Sequence, residues 1–200
     1  MLDEIKENLR QNLDRVESLV QTYESHPDAQ GQGRKSTEVL DILRAAVVLL
    51  HASLEDVLRK VAGWKLPATS AETLNEIPLV GLGSNPKKFL LGDLVKFRGK
   101  TIEQVFQESV DAHLEQSNYN NPGEIASLLR SIGVDVAKVE SHFAGLGELM
   151  KRRHQIVHRA DWQKQIAGSG DHWVGGINKI TVRGWAENVR AFADALFLEL

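Results

Sequence analysis

Ala45-Ala46-Val47-Val48-Leu49-Leu50 is the longest uninterrupted apolar run in the chain, and it lies inside a segment with helical spacing and a helical start. A helix beginning at Ser36 or Thr37, both suitable N-caps, and running to about Ala62 carries these side chains around most of its circumference. Such a helix has to be enclosed by others, so the pattern predicts an all-α bundle built around it. Six apolar residues are far fewer than the ~20 that span a bilayer. The acidic, amphipathic N-terminal segment has no signal-peptide pattern, so a cytoplasmic protein with no membrane contact is expected.

The rest of the chain supplies the enclosing helices. Leu2, Ile5, Leu9, Leu13, Val16, Val20 and Tyr23 recur at steps of three and four, which predicts a first helix over residues 2–25 with one buried stripe. Pro27, Gly31 and Gly33 then mark an exposed connection. From Gly63 to Lys100 the period is lost among prolines and glycines, which reads as a long irregular insertion between helices two and three, with short helical turns. Thr101 and Gln104 form a capping box for a third helix to about Gln116. Asn121, Pro122 and Glu124 start a shorter helix that Gly133 ends. Asp135 is expected to cap a long helix reaching Arg159, followed by a Gly-rich loop at 168–176. Val182, Trp185, Val189, Phe192 and Leu196 give a final helix over Val182–Leu200 its buried stripe. Ile177–Val182 has the look of a strand, but one strand makes no sheet. The 200 residues are expected to form one domain, 1–200, with no internal repeat.

With no cysteine, disulfides, thiol nucleophiles and Cys-based zinc sites are excluded. The formal charge is −3, from 24 basic and 27 acidic residues. Lys151, Arg152, Arg153 and Arg159 fall together, so 20 basic residues face 27 acidic ones elsewhere, a balance of −7. Positive charge is therefore local. Val136, Val139, Phe143, Leu146, Met150 and Val157 form an apolar series whose missing member is position 153, which places Arg153 in a core-facing slot. At ~100° per residue, Arg152 is expected to turn toward solvent, while His154 and His158 share one border of the stripe. A guanidinium on a packing face must be paired or must line a cleft.

An arginine and a histidine beside a cleft suit cleavage of an RNA phosphodiester. His158 would act as base for the 2′-hydroxyl or as acid for the leaving 5′-oxygen, and Arg153 would hold the phosphoryl oxygens. Neither step requires a metal or a cofactor. Lys151, Arg152 and Arg159 are candidate RNA phosphate contacts. Asp41, Arg44, His51 and Glu55 share a stripe on the central helix, either as a solvated face or as a polar seam facing a site; in the second case Arg44, His51 and Glu55 support the catalytic pair. His154 and His158 also have zinc-ligand spacing, but no glutamate follows His154 and no third ligand is evident. Gly81 to Lys87 lacks the ending of a phosphate loop and reads as a turn. Trp162 and Trp173 flank the loop after the basic run, where they would anchor packing or stack a base. His26, His51, His113, His142 and His172 have no evident partner in the sequence.

Arg153, His154 and His158 reproduce the HEPN signature, an arginine, a polar residue and three further residues before a histidine. The second helix, from Asp41 to Glu55, resembles that of prokaryotic HEPN domains of the RiboL-PSP-HEPN kind. The stretches Leu74–Leu79, Phe89–Leu94 and Tyr119–Ile125 are also similar to that group, so the likeness spans about residues 36–165. The resemblance implies an antiparallel helical bundle, a homodimer whose two motifs meet across a cleft, and metal-independent RNA cleavage in a toxin or antiviral defence role. It implies Arg153 and His158 as catalytic residues and His154 as the polar motif position. A nucleotidyltransferase-like antitoxin is the implied partner. The alternative is a non-catalytic HEPN module that binds nucleotide, RNA or a partner protein.

Overall fold

The computed structural model describes residues 1–30, 35–82, 90–161 and 176–200. Among them there is no strand. Six helices of ten residues or more form the frame: α1 (Leu2–Ser25), α2 (Thr37–Lys65), α3 (Ile102–Gln116), α4 (Pro122–Ser131), α5 (Phe143–Arg159) and α6 (Lys179–Leu198). The expected caps set most of these starts. Ser36 accepts from the Val39 amide, Asn121 from Glu124, and Thr101 and Gln104 complete a capping box. Gly133 adopts a φ of +79° just after α4, the left-handed value that glycine takes without a Cβ penalty.

The central position of α2 follows from its side chains. Val39, Leu43, Ala46, Val47, Leu50, Leu54, Val57, Leu58 and Val61 are all buried, and α1, α5, α6 and α3 cover different sides of the helix. The expected α1 stripe, from Ile5 to Tyr23, is buried against it. Burial of each such side chain contributes about 1.5–3 kcal/mol relative to exposure.

Polar contacts fix the directions. Arg183 near the start of α6 pairs with Glu17 and Glu24 near the end of α1, while Lys6 near the start of α1 lies over the Phe197 ring. These two helices therefore run antiparallel. Lys65 at the end of α2 reaches the Leu200 carbonyl, so α6 and α2 run in the same direction. The end of α5 meets the early part of α2, where Arg44 contacts Asp161, so α5 runs antiparallel to α2.

Several boundaries differ from expectation. Asp135 does cap, accepting from the Ala137 amide, but only a 3-10 turn, Val136–Lys138. A second turn, Glu140–His142, intervenes before α5 begins at Phe143. Val139 separates the two turns at a φ of −125°, outside the helical range, so the backbone breaks although the apolar spacing runs on. Pro27–Gln30 forms one helical turn, and α2 continues three residues past Ala62. Within the expected insertion, Leu66–Ala68 and Leu91–Phe97 form 3-10 turns and Ala71–Leu74 a single α-turn. Ile177–Val182 is not a strand: Asn178 caps α6 by accepting from Thr181. Residues 83–87 of the apparent phosphate loop, most of the Gly-rich stretch, His172 and both Trp162 and Trp173 lie outside the described residues. No described helix is long and apolar enough to cross a membrane.

Two helical glycines separate propensity from packing. A Cβ at Gly184 meets nothing within 4 Å, whereas one at Gly145 would lie 2.7 Å from Asn188 Nδ2 and 2.9 Å from its Cγ. Asn188 is itself engaged, donating to the His142 carbonyl at 3.0 Å. In urea unfolding, Gly184→Ala is expected to stabilise the protein by about 0.5–1 kcal/mol. Gly145→Ala is expected to destabilise it by about 1–3 kcal/mol, because overpacking outweighs the same propensity gain.

Candidate functional site

The motif occupies the last two turns of α5, where the buried stripe fades. Leu146, Leu149 and Met150 are buried, but Arg153 is half-buried and Val157 is 47% exposed. Arg153 is thus not in a closed core slot but at the margin between α5 and α2. It makes no ion pair or hydrogen bond among the described residues. His154 and His158 are exposed and stack one turn apart, their ring centroids 4.6 Å from each other.

Arg152 departs from the expected solvent-facing position. Its side chain is only 11% exposed, and Nη1 lies 2.6 Å from Asp161 Oδ1. Nη2 donates to Asp161 Oδ2 at 2.7 Å and to the Gly176 carbonyl at 3.3 Å. The cause is a carboxylate that helical phase cannot locate. The turn after α5 passes through Ala160 at φ +45° and Asp161 at φ +61°, and the Asp161 amide donates back to the Gln155 carbonyl. That left-handed turn costs about 1 kcal/mol or more for a residue with a Cβ. It directs the Asp161 side chain inward, to 1% exposure, where two guanidiniums receive it.

The second guanidinium is Arg44. It is buried on α2, donates from Nε to Asp161 Oδ2 at 2.8 Å, and donates from Nη1 to Asp41 Oδ1 at 2.8 Å. Two of the alternatives left open for the α2 stripe are thereby separated: Arg44 and His51 face the interior, whereas Asp41 faces water at the rim. Asp161 is the residue that the sequence reading missed. Its one legible signal is that it is the sole acidic residue between Glu148 and Asp171, directly behind a run of cations.

Further along the same seam lies His51, 1% exposed, with Nδ1 3.8 Å from Glu55 Oε2 and Nε2 without a hydrogen-bond partner among the described residues. Burial pushes its pKa below the ordinary 6.5; Glu55 opposes that shift, and the Arg153 and Arg59 guanidiniums reinforce it. The Tyr119 amide donates to Glu55 Oε1 at 3.5 Å, and burial pushes the Tyr119 hydroxyl up to about 12. Arg59 donates to the Ser117 carbonyl, which ties the end of α3 to α2. Lys151 and Arg159 are exposed at the edges of the motif.

Arg153 and His158, five residues apart, project about 140° from each other around α5. One chain therefore gathers Arg44, Arg152 and Asp161, and brings Arg153 near His51, but it does not bring Arg153 and His158 to one point. A groove of about 730 Å³ lies between α2 and the end of α5, lined by Thr37, Asp41, Arg44, Ala45, Val48, Leu49 and Ala52 and by Ile156 and Ala160, with neither Arg153 nor His158 in its lining. A larger cleft, about 1110 Å³, lies by α4 and the end of α3, and none of the sequence-predicted site residues line it. No third His, Asp or Glu joins His154 and His158 as a metal-binding group among the described residues.

Compared with protein families, the chain matches the RiboL-PSP-HEPN model over residues 7–200. The chain belongs to the RiboL-PSP-HEPN family. The matched region includes the helical frame from within α1 onward, and with it Arg153, His154 and His158 of α5. No curated protein and no solved structure matches the chain.

The burial of His51 predicts a pH effect on stability. The folded state favours the neutral ring, so the unfolded chain binds more protons once pH falls below about 6.5, and stability declines from there toward acid. Thermal unfolding between pH 7.5 and 5.5 is expected to show this decline, and His51→Gln to show a smaller one. An equal decline in the variant would exclude His51 as its source.

Proposed function

We propose that the protein is a metal-independent endoribonuclease that cleaves RNA by attack of a ribose 2′-hydroxyl on the adjacent phosphorus. One observation carries the proposal: at the end of α5, Arg153 has no ion-pair partner among the described residues while its neighbour Arg152 is bound to Asp161, and an exposed imidazole pair stands on the next face. Membership in a family associated with ribonucleases supports the same reading.

In this mechanism Arg153 binds the non-bridging oxygens of the scissile phosphate through its planar fork and stabilises the charge that grows on them in the transition state. Neutral His158 takes the 2′-hydroxyl proton, or its protonated form gives a proton to the departing 5′-oxygen. The new P–O2′ bond and the broken P–O5′ bond leave a 2′,3′-cyclic phosphate and a 5′-hydroxyl. His154, stacked on His158, holds that ring in place, and Lys151 and Arg159 contact flanking phosphates. Arg152 is removed from that set because its donors are occupied within the chain.

The angular separation of Arg153 and His158 favours a site assembled from two copies, with the arginine of one protomer and the histidine of the other addressing one phosphate. The apolar groove along α2, next to exposed Val157, offers a surface for that partner. The biological role that fits is RNA cleavage in toxin or antiviral defence, restrained by a nucleotidyltransferase-like partner.

Purified protein incubated with single-stranded RNA in EDTA is expected to produce 2′,3′-cyclic phosphate ends and to leave DNA uncut. Arg153→Ala and His158→Ala are each expected to fold and to lose about 100-fold or more in rate. Dilution is expected to lower specific activity together with dimer content. Wild-type protein that binds RNA without cutting it would point to the non-catalytic binding module, and cleavage surviving in either variant would remove that residue from the mechanism.

A further inference from the structure

Two arginines converge on one buried carboxylate where the end of α5 meets α2, and a third, Arg153, stands outside that cluster. Asp161 engages Arg44 at 2.8 Å and Arg152 at 2.6 and 2.7 Å. Arg153, adjacent in sequence to Arg152, has no such partner among the described residues. Adjacent guanidiniums on a helix project about 100° apart, so a phosphate held by Arg152 would sit on a different side of α5 from one held by Arg153. Both have the fork that recognises phosphate, and a free Arg152 would compete for it. The left-handed conformations of Ala160 and Asp161 show that the chain accepts backbone strain to place this carboxylate between the two arginines.

We infer that Asp161 is a positioning residue of the ribonucleolytic site: it withholds Arg152 from phosphate, bolts the end of α5 to α2 through Arg44, and leaves Arg153 as the guanidinium that meets the scissile group. This rests on the reading of Arg153 as the phosphate ligand. Asp161 itself touches no substrate and acts through Arg152.

The test uses Asp161→Asn, Arg152→Gln and the double variant in the full chain, with folding checked by circular dichroism. Asparagine keeps the shape and tolerates the left-handed backbone, so the substitution removes charge with little other change. Two readings are taken. One is the salt dependence of affinity for a 2′-deoxy oligonucleotide, which carries phosphates but has no attacking hydroxyl. The other is the single-turnover cleavage rate of the matching RNA at saturation.

Asp161→Asn is expected to steepen the salt dependence by about 0.7 in log–log slope, the value of one added phosphate contact on a single strand, while cleavage falls about tenfold or more. Arg152→Gln removes two of the contacts that orient the Asp161 carboxylate for Arg44, so it weakens the same bolt without freeing a guanidinium: its cleavage falls while its slope stays that of the wild type. The double variant matches Arg152→Gln in slope and cleaves no faster. A purely architectural Asp161 would lower cleavage without steepening the slope. The inference is overturned if Asp161→Asn keeps the wild-type rate or slope, if its steeper slope persists without Arg152, or if Arg152→Gln has a shallower slope. The last result would make Arg152 a phosphate ligand in the wild type. If Asp161→Asn does not fold, Arg152→Gln decides: a lower rate with unchanged slope supports the bolt, and a shallower slope refutes it. Because the slopes are read on a strand that cannot be cut, a wild type without cleavage removes the ribonuclease reading while the role of Asp161 is still decided.

Discussion

An apolar surface around most of the middle of α2 leaves that helix one strip open to water, at Ala45 and Ala52, and the placement of α1, α3, α5 and α6 follows from covering the rest. α1 covers it with an unbroken stripe from Ile5 to Tyr23, α6 adds Val182, Val189, Phe192 and Leu196, and α5 closes a further side with Leu146, Leu149 and Met150. The hydrophobic closure is non-directional and sets proximity. Direction and register come from the charged contacts at the rims, such as Arg183 with Glu17 and Glu24.

The side closed by α5 is also where closure is incomplete. Past Met150 the facing residues become charged, and the antiparallel seam continues as polar rungs, with His51 near Arg153 and Arg44 opposite Asp161. Buried ion pairs are poor contributors to net stability, because desolvation consumes most of the Coulombic gain; removing one partner is what costs several kcal/mol. The Arg44–Asp161–Arg152 cluster is therefore better understood as a device that fixes geometry than as a source of stability. It holds the terminal turn of α5 against α2 at the point where hydrophobic packing no longer does so.

Periodicity made much of this legible in the sequence. The α1 stripe, the largely buried α2, the helix caps and the RiboL-PSP-HEPN likeness all rest on local spacing or short motifs, which the chain carries one turn at a time. The failures share a cause. Helical phase assigned Arg152 to water because it counts angles on one helix, and it has no means of registering a carboxylate nine residues on that folds back through two left-handed residues. It also ran α5 through Val136 and Val139, since apolar spacing survives a 3-10 turn that the backbone hydrogen bonds do not. Arg44 and His51 were recognised as a stripe, but whether that stripe met water or a neighbour depended on the antiparallel partner, which is tertiary information.

Under the proposed mechanism one helix carries both catalytic groups, Arg153 and His158. A phosphate under in-line displacement needs charge stabilisation on its equatorial oxygens and proton transfer at positions roughly opposite one another. Two residues 140° apart on one helix cannot enclose such a group from within a single chain, because the helix itself stands between them. They can do so from two helices facing across a cleft, each presenting one half of the set. The same angular offset that separates Arg153 from His158 within one protomer then becomes the arrangement that surrounds a single phosphate between two. An arginine fixed at the α2 margin and an imidazole pair left facing outward are the two halves such a pairing requires.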